Sequence, residues 1–237
     1  MAVFKGTDVG VLIHGYNPGT HTTELDMELS ASALDATKFQ DAAERVVPGM
    51  RKDKVHFAGW WDDNAQGLDA GISNILGTGS RIVTVLIGTG TGSRSYVGTG
   101  LEISQKQSGR IGELVRIEAF IEIETTLERG VNLAPGGIVS TTGNQSSTSV
   151  DTGAGNTTTA GARAYVQIIK LTQTGTLAAA VAVDHSTDGT TWGEKGSATF
   201  TTIGATLLSF SGTINRYLRQ ASGTHSGLDY QVTTVRL

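Results

Sequence analysis

The feature that most constrains the fold is an alternation of apolar and polar residues from Val115 to Glu124, in which Phe120 is the one apolar residue on the polar face. A period of two places successive side chains on opposite faces of an extended strand. A shorter run, Glu24 to Leu29, has the same period, with carboxylates on one face and aliphatic side chains on the other. Both segments are therefore predicted to be strands with one core face and one charged face.

The composition favours short strands joined by tight turns. Glycine supplies 32 of the 237 residues, proline only 3, and charged residues 17%. Glycine adopts the backbone angles that tight turns require, while few charges leave little material for helical surfaces. Further strands are predicted in the first 134 residues, over residues 54–61, 81–87 and 95–107.

Two short helices interrupt this pattern. Apolar residues recur at helical spacing from Phe39 to Val47, so a helix is predicted over Ala36–Val47, capped by Asp35 and ended by Pro48-Gly49. A second helix is predicted near Leu68–Leu76, with Gly77 as its stop.

A polar segment divides the chain. Residues 135–161 are rich in glycine, serine and threonine and contain few apolar side chains, which predicts a long loop or linker. The region after it shows six short strand patterns and a strong turn signal at Asp188-Gly189, which together indicate a β-sandwich. We therefore predict a β domain over 1–134, a linker over 135–161 and a C-terminal β-sandwich over 162–237.

The residues that catalysis and metal binding require are missing or scattered. The chain has no cysteine, and its five histidines lack metal-ligand spacing. The glycine-rich segment Gly88–Arg94 lacks the Gly-Lys-Ser/Thr ending of a phosphate-binding loop and precedes a strand, so a hairpin tip is predicted. We predict no catalytic residue, no metal site, no cofactor and no enzymatic activity.

No apolar run approaches the roughly 20 residues that span a bilayer, and no signal peptide is recognisable, so synthesis in a cytoplasm without membrane insertion is expected. Acidic residues are concentrated in the first part: residues 1–130 hold 17 Asp and Glu against 12 Lys and Arg, whereas the rest of the chain holds 5 and 6. Neither balance is that of a protein that grips nucleic acid.

The carboxylates of the two alternating runs have two interpretations. If the strands share one sheet, that sheet has an acidic face. Like charges directly opposite each other destabilise a sheet, so an acidic face of this kind would indicate that the surface has a function. Alternatively, the two runs lie in different sheets and form ordinary solvated surfaces.

The order of elements over residues 1 to about 130 resembles the major tail tube proteins of long-tailed bacteriophages. The resemblance begins with the acidic strand ending at Leu29 and the short helix after it. It continues with Pro48-Gly49-Met50, the Val55–Asp63 segment of the form Val-x-Phe-x-Gly-x-Trp-x-Asp, the second small helix and Tyr96 in a strand. It ends with the strand that starts at Gly112.

This resemblance implies a tail-tube-type β-sandwich or barrel, whose subunits form hexameric or pseudo-hexameric rings that stack into a tube with an acidic lumen. Implied partners are further copies, the tape measure protein, tail completion proteins, and genomic DNA that passes without specific binding. The implied location is the virion tail, after assembly in the host cytoplasm. The predicted lumen-lining residues are Glu118, Glu122, Glu124, Glu24, Asp26 and Glu28. The predicted ring-stacking residues are Gly88, Gly90, Gly92 and Arg94, with residues 135–161 as a further contact.

A different interpretation is a decoration module or a carbohydrate- or receptor-binding β-sandwich on a virion. Its support is the C-terminal region, where Trp192, Tyr217 and Tyr230 are aromatic side chains of the kind that stack on sugars. The same region is also compatible with a second tube-like module.

Overall fold

The computed structural model describes residues 9–38, 43, 45–62, 68–73, 76–143, 145–153, 157–172, 179–223, 225 and 227–237. The chain is almost entirely β-structure, which confirms the predicted mainly β fold class. The described elements are β1 (Val9–Ile13), β2 (Thr22–Glu28), β3 (Ala31–Asp35), β4 (Val46–Arg51), β5 (Lys54–Trp60), α1 (Leu68–Ser73), β6 (Arg81–Ile87), β7 (Arg94–Ser108), β8 (Arg116–Ile123), β9 (Glu128–Asn132), β10 (Val139–Thr141), β11 (Gln145–Ser146), β12 (Val150–Asp151), β13 (Ala162–Thr172), β14 (Ala179–Ser186), β15 (Gly193–Phe200), β16 (Gly204–Phe210), β17 (Tyr217–Ser222) and β18 (Gly227–Arg236).

The largest sheet contains eleven of the described strands, and its main path runs β16-β13-β18-β9-β7-β8-β5-β2. The strand pairs are antiparallel, and β1 and β6 extend the sheet from β7, while β10 pairs with β18. A second sheet has the order β11-β17-β14-β15, with β12 beside β17. Strands β3 and β4 pair only with each other, as a separate two-stranded hairpin.

Strand β7 organises the first part of the chain because it serves two sets of partners. Its first half pairs with β6 on one side and β9 on the other, and its second half pairs with β8. The strands on both sides of β7 enclose one core, whose fully buried side chains include Phe57, Val83 and Ile117. The helix α1 adds Ile72 to this core.

The last part of the chain forms a sandwich. Strands β13 and β18 of the large sheet pack on the second sheet, and Val166, Ile168, Val181 and Tyr230 lie buried between them. Each sheet has one apolar face, so packing the two together removes both faces from water. Because β18 pairs with β9, the large sheet contains strands from both sides of the predicted linker.

Residues 135–161 contain short paired strands. Strand β10 pairs with β18, whereas β11 and β12 pair with β17. Residues 144 and 154–156 of this segment lie outside the described residues. A bridge between Thr158 and Ile214 adds a further contact, so backbone hydrogen bonds hold the segment along its described length.

The predicted helix over Ala36–Val47 is wrong at both ends. Asp35, predicted to cap it, lies in β3, and residues 36–38 are not helical. Val46 and Val47 lie in β4, and Pro48-Gly49, predicted to end the helix, lies inside that strand. Residues 39–42 and 44 lie outside the described residues. The apolar spacing was misleading because β3 and β4 form an exposed hairpin, where solvent-facing positions need not follow an alternating pattern.

A buried side-chain amide joins the two parts of the chain. Gln167 on β13 is fully buried, and its Oε1 accepts a hydrogen bond of 2.9 Å from the backbone N–H of Gly15. Its Nε2 donates to Thr84 Oγ1 at 2.6 Å and to the Leu12 carbonyl at 3.3 Å. One side chain of the second part thus satisfies three polar groups of the first.

We expect Gln167→Leu to lower the free energy of unfolding by about 2 kcal/mol, because a leucine of similar size leaves buried polar groups without partners. Urea denaturation followed by tryptophan fluorescence measures this loss. Gln105→Leu is the matched control, since Gln105 is only partly buried and makes no side-chain hydrogen bond among the described residues. Equal stability of Gln167→Leu and the control would contradict the role of this amide.

Candidate assembly surfaces

The two acidic runs predicted from the sequence lie on the same face of one sheet. Strand β5 separates β2 from β8, and the register aligns their outward side chains in rows across the three strands. The rows are Glu28–Lys54–Glu122, Asp26–His56–Phe120 and Glu24–Ala58–Glu118. We call this surface the acidic face. The opposite face of the same strands packs into the first core.

The acidic face is less uniformly negative than its sequence indicates. Arg116 Nη2 lies 2.5 Å from Glu24 Oε2, and Arg116 Nε lies 3.4 Å from Glu118 Oε1. Lys54 lies in register between Glu28 and Glu122. Placing β5 between the two acidic strands prevents carboxylates from standing directly opposite each other, which would destabilise the sheet.

Three carboxylates of this face remain exposed and make no ion pair among the described residues: Asp26, Glu28 and Glu122. Glu124, which was predicted to belong to the same stripe, lies in the bend just after β8 and accepts a hydrogen bond from Ser80 Oγ. The negative charge of the acidic face is therefore concentrated on β2 and at the C-terminal end of β8.

An open groove crosses the acidic face and has an apolar centre. Its volume is about 690 Å³, and its lining includes Asp26, Lys54 and the exposed Ile103. The rings of His56 and Phe120 stack there, with centroids 4.3 Å apart. Ile103 occupies a bulge where the pairing of β7 with β8 shifts by one residue, which turns its side chain outward.

Strand β2 ends the main path of the large sheet. It pairs with β5 on one side and with no other described strand. Such an edge presents unpaired backbone N–H and C=O groups that another strand can extend. The acidic face therefore reaches a boundary at which a second chain can continue the sheet.

The predicted stacking turn is anchored to β9. The N–H of Gly92 donates to the Asn132 carbonyl at 2.8 Å, and the N–H of Asn132 donates to the Ser93 carbonyl at 2.9 Å. Gly92 has a φ of 85°, a conformation that glycine adopts without strain. Gly88 is buried, whereas Gly90 and Arg94 are exposed at this end of β7.

Sequence reasoning missed the β3–β4 hairpin, which presents apolar side chains to solvent. Leu34 and Val46 are each more than half exposed, and Met50 is 77% exposed. The hairpin leaves the large sheet where β2 ends and returns where β5 begins, beside the acidic face. The segment Val46-Val47-Pro48-Gly49-Met50 contains the β-branched residues that could have indicated a strand.

The aromatic residues considered for sugar binding do not form one exposed platform. Tyr230 is fully buried in the sandwich core, so it is unavailable to a ligand. The guanidinium of Arg219 lies 4.3 Å from the Trp192 ring centroid, and that of Arg216 lies 5.0 Å from the Tyr217 centroid. Burial of Tyr230 removes one of the three residues that supported a carbohydrate-binding surface.

A buried carboxyl group lies behind the acidic face. Glu102 on β7 is 3% exposed, and neither of its carboxylate oxygens has a hydrogen-bond partner among the residues that the structure describes. Burial raises the pKa of this carboxyl group to about 8 from an ordinary value near 4.5. The folded chain therefore holds Glu102 in its neutral form at neutral pH.

We expect Glu102→Gln to stabilise the fold in a pH-dependent way. As the pH rises from about 4.5 towards 8, the unfolded chain releases the Glu102 proton while the folded chain retains it, so the wild type loses stability. At pH 7 the free energy of unfolding of the variant should exceed that of the wild type by on the order of 2 kcal/mol, a value discounted for partial solvent screening. The difference should vanish below about pH 4. Urea unfolding at pH 4 and 7 tests this, and equal differences at both would contradict it.

The described residues contain no group of three or more His, Asp or Glu side chains that could hold a metal ion. Within the described residues, no helix is both long enough and apolar enough to cross a membrane.

Comparison with known proteins gives distant structural similarity only. No protein-family model and no curated protein matches the chain. It is similar to a chain in the tail of an empty gene transfer agent particle refined with C6 symmetry, at 15% identity and TM-score 0.39, covering 45% of this chain and 80% of that one. A chain of the native gene transfer agent virion gives 15% identity and TM-score 0.46, covering 54% and 98%.

A third solved structure is the Dit protein of SPP1, described as a hub of the adsorption apparatus in phages that infect Gram-positive bacteria. It gives 10% identity and TM-score 0.36, covering 96% of this chain and 98% of that one. At these values the matches do not establish a family, and a function has to be inferred from the chain's own residues.

Proposed function

We propose that the chain is a structural subunit of a bacteriophage tail, and that its copies form rings stacked into a tube. In this proposal the acidic face lines the lumen, and DNA passes through without specific binding. The tape measure protein and tail completion proteins are the expected partners besides further copies. The expected location is the virion tail, with assembly in the host cytoplasm.

One observation carries this proposal: both acidic strands share a solvent-facing surface that ends at the free edge of β2. A neighbouring copy that adds a strand at this edge would extend the acidic face and cover the unpaired backbone groups. Repetition around a ring would close the sheet into a barrel without an open edge. The opposite face of these strands packs into the subunit's own core, so the acidic face is the one that can line a lumen.

The exposed carboxylates suit a surface along which DNA must slide. Double-stranded DNA carries about one negative charge per 1.7 Å of axis, so it binds surfaces that neutralise its phosphates. Asp26, Glu28 and Glu122 would be repeated in every copy of a ring. Since salt screens exposed charges beyond about 8 Å, their repulsion acts at close range and prevents adhesion to the wall.

The positions of the exposed apolar residues support stacking. The β3–β4 hairpin and the turn over residues 88–94 lie towards the N-terminal end of β7, whereas the turn over residues 109–115 follows its C-terminal end. At that second end Ile111 is fully exposed and Leu114 is 67% exposed. Head-to-tail contact between unlike surfaces repeats without limit, which is the geometry of a stack of rings.

Cysteine labelling tests which face lines the tube, because the chain contains no natural cysteine. Ser104→Cys places a thiol in the groove of the acidic face, and Ser197→Cys places one on β15, far from that face. In assembled tubes we expect a polymer-linked maleimide to label the Ser197→Cys variant and to leave the Ser104→Cys variant unlabelled. Both should react in dissociated subunits. Equal labelling of the two variants in tubes would place the acidic face on the outside.

A further inference from the structure

A cleft at the N-terminal end of β7 carries an excess of positive charge. Its volume is about 400 Å³, and three arginines line it: Arg94 from β7, Arg129 from β9 and Arg236 from β18. The apolar lining comes from the partly exposed Val131, together with Val150 and Leu218, which are only 7% and 2% exposed. We call this the arginine cleft. Cationic groups beside an apolar wall favour a ligand that has both a carboxylate and an aliphatic group.

The positive charge of the arginine cleft is not offset by its own carboxylate. The register pairs Arg94 with Val131 and Tyr96 with Arg129, so the two exposed arginines are diagonal neighbours on one face. Neither makes an ion pair among the described residues. Asp151 also lines the cleft, but Arg216 binds both of its carboxylate oxygens.

Arg236 donates hydrogen bonds to the Ile214 carbonyl at 3.0 Å and to Thr152 Oγ1 at 3.0 Å, which hold its side chain at the cleft. In a chain of net charge −4, Arg94 and Arg129, unpaired among the described residues, make this cleft a local surface that favours an anionic ligand.

The turn between β7 and β8 has complementary features. Ile111 and Leu114 project from it with little cover, and Glu113 presents an exposed carboxylate. The turn is fixed by a hydrogen bond from the N–H of Glu113 to the Arg110 carbonyl at 3.0 Å. Arg110 is also exposed, but its positive charge does not complement a cationic cleft. Glu113 is therefore the residue of the turn that supplies the complementary charge.

A subunit cannot fill its own cleft with this turn. The arginine cleft begins at Arg94 and the turn begins after Ser108, so the 15 residues of β7 separate them. At roughly 3.3 Å per residue of strand, the two sites lie about 45 Å apart at opposite ends of one rigid element. The turn can therefore reach only the cleft of another copy.

We propose that the β7–β8 turn of one copy inserts into the arginine cleft of a second copy, with Glu113 facing Arg94 and Arg129 and Ile111 against the apolar wall. As a ring-to-ring contact this rests on the proposed function, but pairing of the two surfaces is measurable without tubes. The β7–β8 turn and the arginine cleft then form the two sides of one interface.

Cross-linking between two single-cysteine variants tests the insertion. Ile111→Cys marks the turn, and Thr91→Cys marks the rim of the cleft next to Gly92. One variant carries a size tag, so that a mixed dimer is distinguished on a denaturing gel after mild oxidation. We expect the mixed dimer for Ile111→Cys with Thr91→Cys and a yield at least fivefold lower with Thr213→Cys, an exposed threonine between β16 and β17.

Charge reversal adds a second readout. Arg94→Glu with Arg129→Glu in the cleft-side copy should reduce the mixed dimer at least threefold, and Glu113→Arg in the turn-side copy should restore it. Equal yields with Thr91→Cys and Thr213→Cys would overturn the insertion, even if microscopy shows tubes. A specific mixed dimer without rings or tubes would support the insertion and contradict the proposed function.

Discussion

Tubes built from a variant with Asp26→Lys and Glu122→Lys are expected to retain double-stranded DNA that wild-type tubes let pass. Each substitution replaces an exposed carboxylate by an ammonium group on the acidic face, and assembly repeats the change in every copy. Lysines that neutralise phosphates release counterions, so binding falls steeply with salt, with a slope of about −0.9 per phosphate contact. Co-sedimentation of tubes with linear DNA at low and high salt measures the effect. We expect at least a tenfold increase in retained DNA at low salt and its loss at high salt.

The control places the same charges elsewhere. Glu194→Lys with Asp229→Lys adds two lysines at acidic positions outside the acidic face, on β15 and β18. If the acidic face lines the lumen, this control should bind DNA only on the outside of the tube, where nuclease digests it. Nuclease sensitivity of the DNA held by the Asp26→Lys, Glu122→Lys tubes would contradict the lumen assignment.

Replacing Asp53 by alanine is expected to cause a large loss of stability. Asp53 is 1% exposed between β4 and β5, and its Oδ2 accepts hydrogen bonds from Arg51 Nη2 at 2.7 Å and from the Leu127 N–H at 2.8 Å. Its carbonyl accepts a further bond from the Ile123 N–H at 3.0 Å. The side chain thus ties the base of the β3–β4 hairpin to the segment after β8. Its removal leaves a buried N–H unsatisfied and breaks a charge-assisted pair, which costs about 3 kcal/mol.

Asp53→Asn separates the charge from the geometry, because its side-chain oxygen still accepts the bond from Leu127. We expect this variant to lose about half as much free energy of unfolding as Asp53→Ala, measured by urea denaturation at pH 7. A loss below 1 kcal/mol for Asp53→Ala would show that the hairpin base is held by other contacts. Since the hairpin is also a proposed stacking element, the alanine variant should form shorter tubes at equal protein concentration.

Strands that bury one face were predictable from the sequence. The run Arg81–Ile87 is strand β6 at the predicted bounds, and the alternation over β8 gives its buried and exposed faces correctly. Val115, expected on the apolar face, is an exception because it precedes β8 and is 41% exposed. Alternation is reliable where one face contacts a core, since each apolar position then has a partner.

Other features depend on contacts that no local pattern encodes. The insertion of β5 between the two acidic strands, with Lys54 between Glu28 and Glu122, follows from tertiary pairing. The β3–β4 hairpin buries little, so its sequence is free to imitate helical spacing. The arginine cleft combines residues from five strands, and only β-sheet register brings Arg94 and Arg129 together.

In the proposed assembly, copies of this chain join through the edge of β2 and the ends of β7 into stacked rings. Negative-stain electron microscopy of the purified chain, at increasing protein concentration, tests this assembly most directly. We expect rings or tubes with a stain-filled central channel. Monomers or compact oligomers without a channel at every concentration would contradict it.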